Sequence, residues 1–574
     1  MTYKHYPVRP GTLTPEFVTE EYQKIISHLA EAENAPSADK WIALYEDWNA
    51  LNSFVYSETS RIHHELSQDM NDKEREERER FNREKVQPVA EDFNLHMVNA
   101  LLASKHKKAV GDRFGSHLLE VQEVMVEPLA KINSDLRVKA GELVTKYDKT
   151  VAQGEVMFRG EMITLSKARS YQSSQDADIR KESFEAYRKW FLEHRSEIAA
   201  IYDEMVKLRD QMGRNLGHKN YIPLGYKSMG RTDYGVEEAR KFRANVLKYV
   251  VPLQSKLFAE RAKRHGTTTL KPWDVGFDPA MTLPSGVAPV SEQLEKAQRI
   301  FDKISPILGD HFRRMRSEGL IDLENRKGKR AGAYCTSFPD EGRVAILCNS
   351  TGDSEDIRTL THEMGHAFQG WESQKIESID LQWPTSDACE VHSMGMEFLS
   401  MRYIEEFFPE DLAIKYCRNR WRDAVEMICY IVIVDEFQHW VYENPNASPD
   451  ERDIAWDKIW DTYKPGIDWT GCEEYKAARW YAQGHIFGMP FYYIDYAIAE
   501  MGAMQLGRSD VKNHEEVVKA YIELCRIGGT KSVLNIFKAV DMRSPFDEQL
   551  MKDLMAHAEK EIFSEVPEEV LEQR

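Results

Sequence analysis

No stretch of this sequence stays apolar for long enough to cross a bilayer. The strongest candidate, Met427-Ile428-Cys429-Tyr430-Ile431-Val432-Ile433-Val434, is stopped by Asp435 and Glu436. It falls well short of the roughly 20 residues a span needs, so it reads as a core helix and no membrane partner is expected. The first ten residues, Met1 to Pro10, lack the apolar centre of a secretory leader. Cysteine is sparse and odd in number: Cys335, Cys348, Cys389, Cys417, Cys429, Cys472 and Cys525, with no C-x-x-C pair. A secreted disulfide framework is therefore not expected, and a reducing, cytoplasmic setting is. Basic charge is also short, 76 Lys and Arg against 95 Asp and Glu for a net charge of -19, which argues against nonspecific nucleic-acid binding because phosphate needs a basic face. What remains is a globular composition, 42% hydrophobic and 30% charged over 574 residues, long enough for several domains or one multi-lobed body.

The chemistry concentrates in Asp353 to Gln369, which contains His362-Glu363-Met364-Gly365-His366, an H-E-x-x-H motif. Two histidines four apart on a helix stand one turn above each other, so both imidazoles reach one metal ion while the glutamate faces the same cleft. Asp353 is the expected N-cap, with Asp356 at the third helical position as a carboxylate variant of the capping box. At about 100° per residue, Ile357, Leu360, Met364 and Phe368 fall on one side, and His362, Glu363 and His366 on the other. A buried helix with two hydrogen-bonded histidines would show the same stripe, so a third ligand is required.

Zinc in a catalytic site takes three protein ligands and leaves a fourth position open. Downstream, Pro384 to Leu399 reads as a second helix, started by Ser386 or Asp387, on which Glu390, Met394 and Glu397 share a face. Glu390 is the third ligand in this reading, with His392 as its rival, and Glu397 is placed to orient a histidine ligand. Cys389, beside Glu390, is either a sensitive thiol or a small buried side chain, and the second reading is preferred.

This pairing of His362-Glu363-Met364-Gly365-His366 with a glutamate in a Glu-Val-His-Ser-Met setting resembles the thimet oligopeptidase and oligoendopeptidase F family of zinc peptidases, most closely its oligoendopeptidase F and Pz-peptidase branch. The resemblance implies a mainly α, two-lobed helical body with a deep substrate channel that admits short peptides, and a small β-sheet beside the zinc-binding helix. It also implies one Zn2+ per chain. In the stretch His485 to Tyr496 it implies a histidine and one or more tyrosines as oxyanion donors. If that stretch is one helix, His485, Met489, Tyr492 and Tyr496 line up. Pro490 departs from the thimet branch, whose loop is glycine-rich. Tyr496 and Tyr492 are favoured as donors over Tyr493, which is kept as a substrate-binding residue.

Elsewhere, residues 14 to 230 read as helices. Trp41, Leu44, Tyr45, Trp48 and Leu51 keep helical spacing and are expected to pack. The charged run Asn71 to Lys85 reads as a solvated helix face or hairpin arm. Val156 to Leu165 suggests a minor hairpin around Arg159-Gly160. Gly230 to Tyr234 suggests a helix corner, where Arg231 either forms a structural ion pair, the preferred reading, or meets a peptide carboxylate. The proline-bearing segment Gly266 to Pro289 suggests a division into an N-terminal helical lobe (1–265), a linker (266–290) and a catalytic lobe (291–574). Ala331–Ser337 and Arg343–Asn349 read as strands, and the small residues Gly332 and Ala333 would let an extended peptide pair with the strand edge. Gly528-Gly529 reads as a turn bordering the channel or a plain helix break. Nothing in the sequence fixes an oligomeric state.

The expected function is a zinc oligoendopeptidase that cuts short peptides, with Glu363 as general base acting on a metal-activated water. A carboxypeptidase or dipeptidyl carboxypeptidase is the alternative within hydrolases. A non-catalytic helical scaffold that binds peptides is the alternative outside them.

Overall fold

Trp41, Leu44, Tyr45, Trp48 and Leu51 form one buried face of the long helix α1 (Asp39–Gln68). With neighbours from Leu13 to Leu118, and with Leu381, they make the smaller of two main apolar cores in the computed structural model, which describes residues 13–565. Met1–Pro10, read above for a leader, lies outside the described residues. The charged run after α1 forms a helix, Lys73–Phe81, that buries none of its side chains and folds back along α1 as a hairpin arm. The minor hairpin forms as β1 (Glu155–Phe158) and β2 (Glu161–Thr164), antiparallel around Arg159 and Gly160.

The chain is mainly α, with two small sheets among the described residues. No helix among the described residues is long and apolar enough to cross a membrane. After helix α2 (Val236–Arg264) comes the segment singled out as a linker. It carries no helix, but Asp278 accepts two bonds from Arg264 at 2.8 and 2.6 Å, Leu270 bridges to Ile467, and the Gly286 N–H donates to Asp353 Oδ1 at 3.0 Å. The larger apolar core extends from Ala140 to Ile562 across this segment. Apolar packing changes hands near residues 118–140.

The sheet beside the functional helices has the order β3-β5-β4: β3 (Ile321–Glu324) runs parallel and β4 (Tyr334–Phe338) antiparallel to the central β5 (Arg343–Ser350). Among the described residues, one edge of β4 therefore has no strand partner. Strand pairing begins at Tyr334, not at Ala331 as the sequence suggested. Gly332 sits at φ +90°, where the pleat cannot continue, and its carbonyl accepts from Asn349 Nδ2 at 2.7 Å. Gly332 and Ala333 thus lead into the strand instead of belonging to it.

Four helices carry the rest: α3 (Ser354–Glu372), α4 (Ser386–Met401), α5 (Glu410–Glu443) and α6 (Ile494–Asp510). α3 starts as expected. Asp353 is its N-cap, and Asp356 Oδ2 accepts backbone N–H bonds from Thr351 at 2.8 Å, Gly352 at 2.6 Å and Asp353 at 3.1 Å. Ile357, Leu360, Met364 and Phe368 are fully buried. The apolar run of α5 lies in the larger core.

α3 and α4 pack together at Gly365. A Cβ there would sit 2.4 Å from the His392 carbonyl oxygen and 2.6 Å from Ser393 Cα, both backbone atoms that cannot swing aside. Gly365→Ala must therefore push the two helices apart. We expect it to lower unfolding stability by about 1–3 kcal/mol in a denaturant titration. An unchanged midpoint would show that the contact is looser than its geometry.

Candidate metal centre and active site

The stagger of an α-helix puts His362 and His366 one above the other on α3, with ring centroids 5.1 Å apart. α4, held close by Gly365, brings Glu390 Oε2 to 3.4 Å from His362 Nε2 and 3.6 Å from His366 Nε2. One ligand atom from each of the three lies within 4.8 Å of the others. His392 points elsewhere, with Nε2 3.2 Å from the Leu524 carbonyl oxygen. Two imidazoles and a carboxylate make a nitrogen and oxygen donor set that suits zinc.

The electrostatics fit a cation. Burial opposes a charge on His362, but hydrogen bonds to Glu390 and Glu397 outweigh it and push its pKa up to about 10. Burial likewise works against the Glu390 carboxylate, yet His366 and His362 hold its pKa well below the usual range. The two carboxylates at these imidazoles supply negative charge that a divalent ion would offset.

Glu397 lies two turns beyond Glu390 and touches the other nitrogen of the same ring: its Oε1 is 2.7 Å from His362 Nδ1. With Nδ1–H donated to Glu397, Nε2 is the ring nitrogen turned toward Glu390 and the position a metal would take. The second Glu397 oxygen meets Arg420 Nε at 2.7 Å and Arg358 Nε at 3.1 Å. Arg420 continues to both oxygens of Glu500, at 2.8 and 3.1 Å. Burial works against a charged Glu397, but Arg420 and Arg358 bring its pKa down to about 2. Sequence reasoning missed Arg358, Arg420 and Glu500. The available signal was an acid in the apolar run Ala497 to Met501 and an arginine one turn before His362.

Glu363 is only 6% exposed. Burial raises its pKa, with His366 and His362 pulling the other way. A carboxylate raised but balanced in this manner suits a group that takes and returns a proton.

The stretch from His485 to Tyr496 is not one helix, so the condition under which His485, Met489, Tyr492 and Tyr496 would line up does not hold. A short helix, Gly484–Gly488, ends before Pro490, and Phe491 adopts φ +67°. This left-handed residue is held at both ends: its N–H donates to Gln438 Oε1 at 2.9 Å, and its carbonyl accepts from Arg231 Nη2 at 2.5 Å. The same Arg231 nitrogen bonds Asp495 at 2.6 Å. Arg231 is thus a buried structural partner at a corner, the preferred reading above. Despite the break the aromatic groups gather. His485 stacks 5.8 Å from Tyr492 and lies 4.9 Å from Tyr493, while the Tyr492 hydroxyl donates to Tyr496 Oη at 2.8 Å. Burial pushes Tyr496 up to about 12, with the Glu390 charge adding to the rise. Tyr493 packs edge-on against Tyr430 at 6.0 Å. Cys389 donates to the Pro384 carbonyl at 3.3 Å, and burial pushes its thiol well up, so it is a protonated packing residue. Gly529 bonds the Leu381 carbonyl through its N–H at 2.8 Å, a tight contact between loops.

The family model described as Peptidase family M3 matches residues 170–556, and that of the Peptidase M3 N-terminal domain matches residues 14–127. The chain belongs to peptidase family M3. Solved structures from the branch named above are similar over the whole length. Pz peptidase A with inhibitor 2 is 33% identical with a TM-score of 0.89, covering 98% of this chain and 99% of that one. A putative oligoendopeptidase F from Bacillus anthracis str. Ames is 30% identical with a TM-score of 0.82, covering 96% of each. Oligopeptidase PepF of Bacillus subtilis (strain 168) is 21% identical over 394 residues, 67% of this chain and 57% of that protein, so the match spans little more than half of this curated relative.

For this M3 member the carboxylate behind His362 should matter as much as the ligands. Glu397→Gln keeps the shape but removes the charge that fixes the ring. We expect metal affinity to fall by about 10- to 100-fold in a chelator competition assay. An unchanged affinity would mean that His362 is oriented by packing alone.

Proposed function

We propose that this M3 chain is a zinc-dependent oligoendopeptidase that hydrolyses internal bonds of short peptides. The observation that carries the reading is the convergence of His362, His366 and Glu390 beside a buried Glu363. His362, His366 and Glu390 would hold one zinc ion per chain. When bound, the zinc supplies a Lewis acid that polarises the scissile carbonyl and makes water acidic enough to lose a proton near neutral pH.

The chain's own groups do the rest. Glu363 Oε takes the proton from water and returns it to the amide nitrogen as the peptide bond breaks. His485 and Tyr496 donate hydrogen bonds to the carbonyl oxygen as it becomes negative, each such donor being worth about 3 kcal/mol. Tyr492, by donating to Tyr496 Oη, leaves the Tyr496 proton free to point at substrate. Tyr493 lines the same aromatic wall. The substrate backbone approaches at the entrance to β4, where Gly332 and Ala333 offer room for a second chain. A backbone-reading site of this kind accepts extended short peptides. The acidic surface gives nucleic acid no footing, and the sparse cysteines suit a cytoplasmic setting.

Two experiments test this reading. Glu363→Gln should keep stoichiometric zinc by metal analysis while kcat on a fluorogenic peptide falls by at least about 10³-fold; near-normal cleavage would remove Glu363 from the mechanism. Amidating the C-terminus of a cleaved peptide should leave cleavage intact, as followed by mass spectrometry. Loss of cleavage would identify a carboxypeptidase or dipeptidyl carboxypeptidase instead.

A further inference from the structure

His485 is assigned above to donate a hydrogen bond, which a neutral imidazole does from one nitrogen only. Which nitrogen carries the proton depends on what the other one meets. His485 Nδ1 lies 2.8 Å from the Gln483 side-chain amide nitrogen. The same amide's oxygen lies 2.6 Å from the Tyr430 hydroxyl, which reaches it from α5. In that second contact the Tyr430 hydroxyl donates to the amide oxygen, which leaves the NH2 turned to His485. An NH2 group can only donate. Nδ1 must then be the acceptor, and the ring's proton is on Nε2.

We infer that Tyr430 and Gln483 form a relay that fixes His485 as its Nε2–H tautomer, making Gln483 a positioning residue for the proposed peptidase. The inference rests on the reading of His485 as a donor, although the tautomer itself does not. The geometry also disfavours a doubly protonated ring, because a proton on Nδ1 would face the Gln483 NH2. Burial acts in the same direction, holding the His485 pKa below its ordinary value. The titratable groups whose rings face His485 are Tyr492 and Tyr493, with Tyr430 one amide away. No carboxylate among them competes for the Nδ1 position. Gln483 is buried, and Tyr430 is anchored on α5, so the amide is oriented from outside the aromatic loop whose histidine it sets.

The test uses the full chain with 15N-labelled histidine, the His485 signals being those lost in His485→Asn. In the wild type, Nε2 should appear protonated and Nδ1 bare. Gln483→Glu replaces the donor with an acceptor and should move the proton to Nδ1. It should also lower kcat by about 10²- to 10³-fold, the loss typical of one oxyanion donor, while zinc content stays the same and KM changes by less than about threefold. Gln483→Leu, which only removes the partner, should give a mixture of tautomers and a smaller loss, and serves if the glutamate variant does not fold. A wild-type His485 carrying its proton on Nδ1 would overturn the inference. So would a Gln483→Glu protein with a flipped tautomer and unchanged kcat. A wild-type protein that binds zinc but cleaves no peptide would count against the proposed function, and the histidine signals would still decide the tautomer.

Discussion

The carboxylate of Glu397 is the constraint on which the centre depends. It is buried and charged, and it stays charged because a histidine and two arginines surround it. Those partners come from different helices: His362 and Arg358 from α3, Arg420 from α5, and beyond Arg420 the Glu500 of α6. The chain of charges therefore holds four helices in one arrangement, with Glu397 on α4 at its middle. Removing one member of a buried ionic group leaves the others unpaired, at a cost of about 3–5 kcal/mol, so the array resists piecemeal rearrangement. The close approach of α3 and α4 at Gly365 supplies the complementary steric condition, since Glu390 reaches the two imidazoles only if the helix backbones nearly touch.

The two side-chain clusters differ in charge. On the α3 and α4 side, histidines and carboxylates form a charged set suited to a cation. On the side of His485 and the tyrosines, burial favours neutral groups that keep their protons, Tyr496 at about 12 and His485 below its ordinary value. Glu363 stands at the boundary, where burial and the two imidazoles pull its pKa in opposite directions.

Much of this was legible in the sequence where the relevant physics is local. The cap at Asp353, the sidedness of Ile357, Leu360, Met364 and Phe368, the Arg159-Gly160 hairpin and the packed stripe from Trp41 to Leu51 all follow from periodicity and turn chemistry. Glu390 was placed by its position on a second helix, and the structure brings it to both histidines. What stayed hidden is tertiary. Arg420 and Glu500 lie 80 residues apart, and nothing local ties either one to His362. The break at Phe491 was hidden for a related reason: a non-glycine residue enters the left-handed region only because Gln438 and Arg231, distant in sequence, hold its peptide groups. The early start expected for β4 failed at Gly332, whose backbone angle no hydropathy pattern reports.

Phe491 carries one further implication. A bulky residue in the left-handed region is costly by itself, of order 1 kcal/mol or more, and here its ring is wholly buried while both of its backbone bonds are made to groups that are themselves packed. A turn held at both ends in this way is a fixed corner of the fold. The aromatic side chains that follow it, Tyr492, Tyr493 and Tyr496, inherit their placement from that fixed turn.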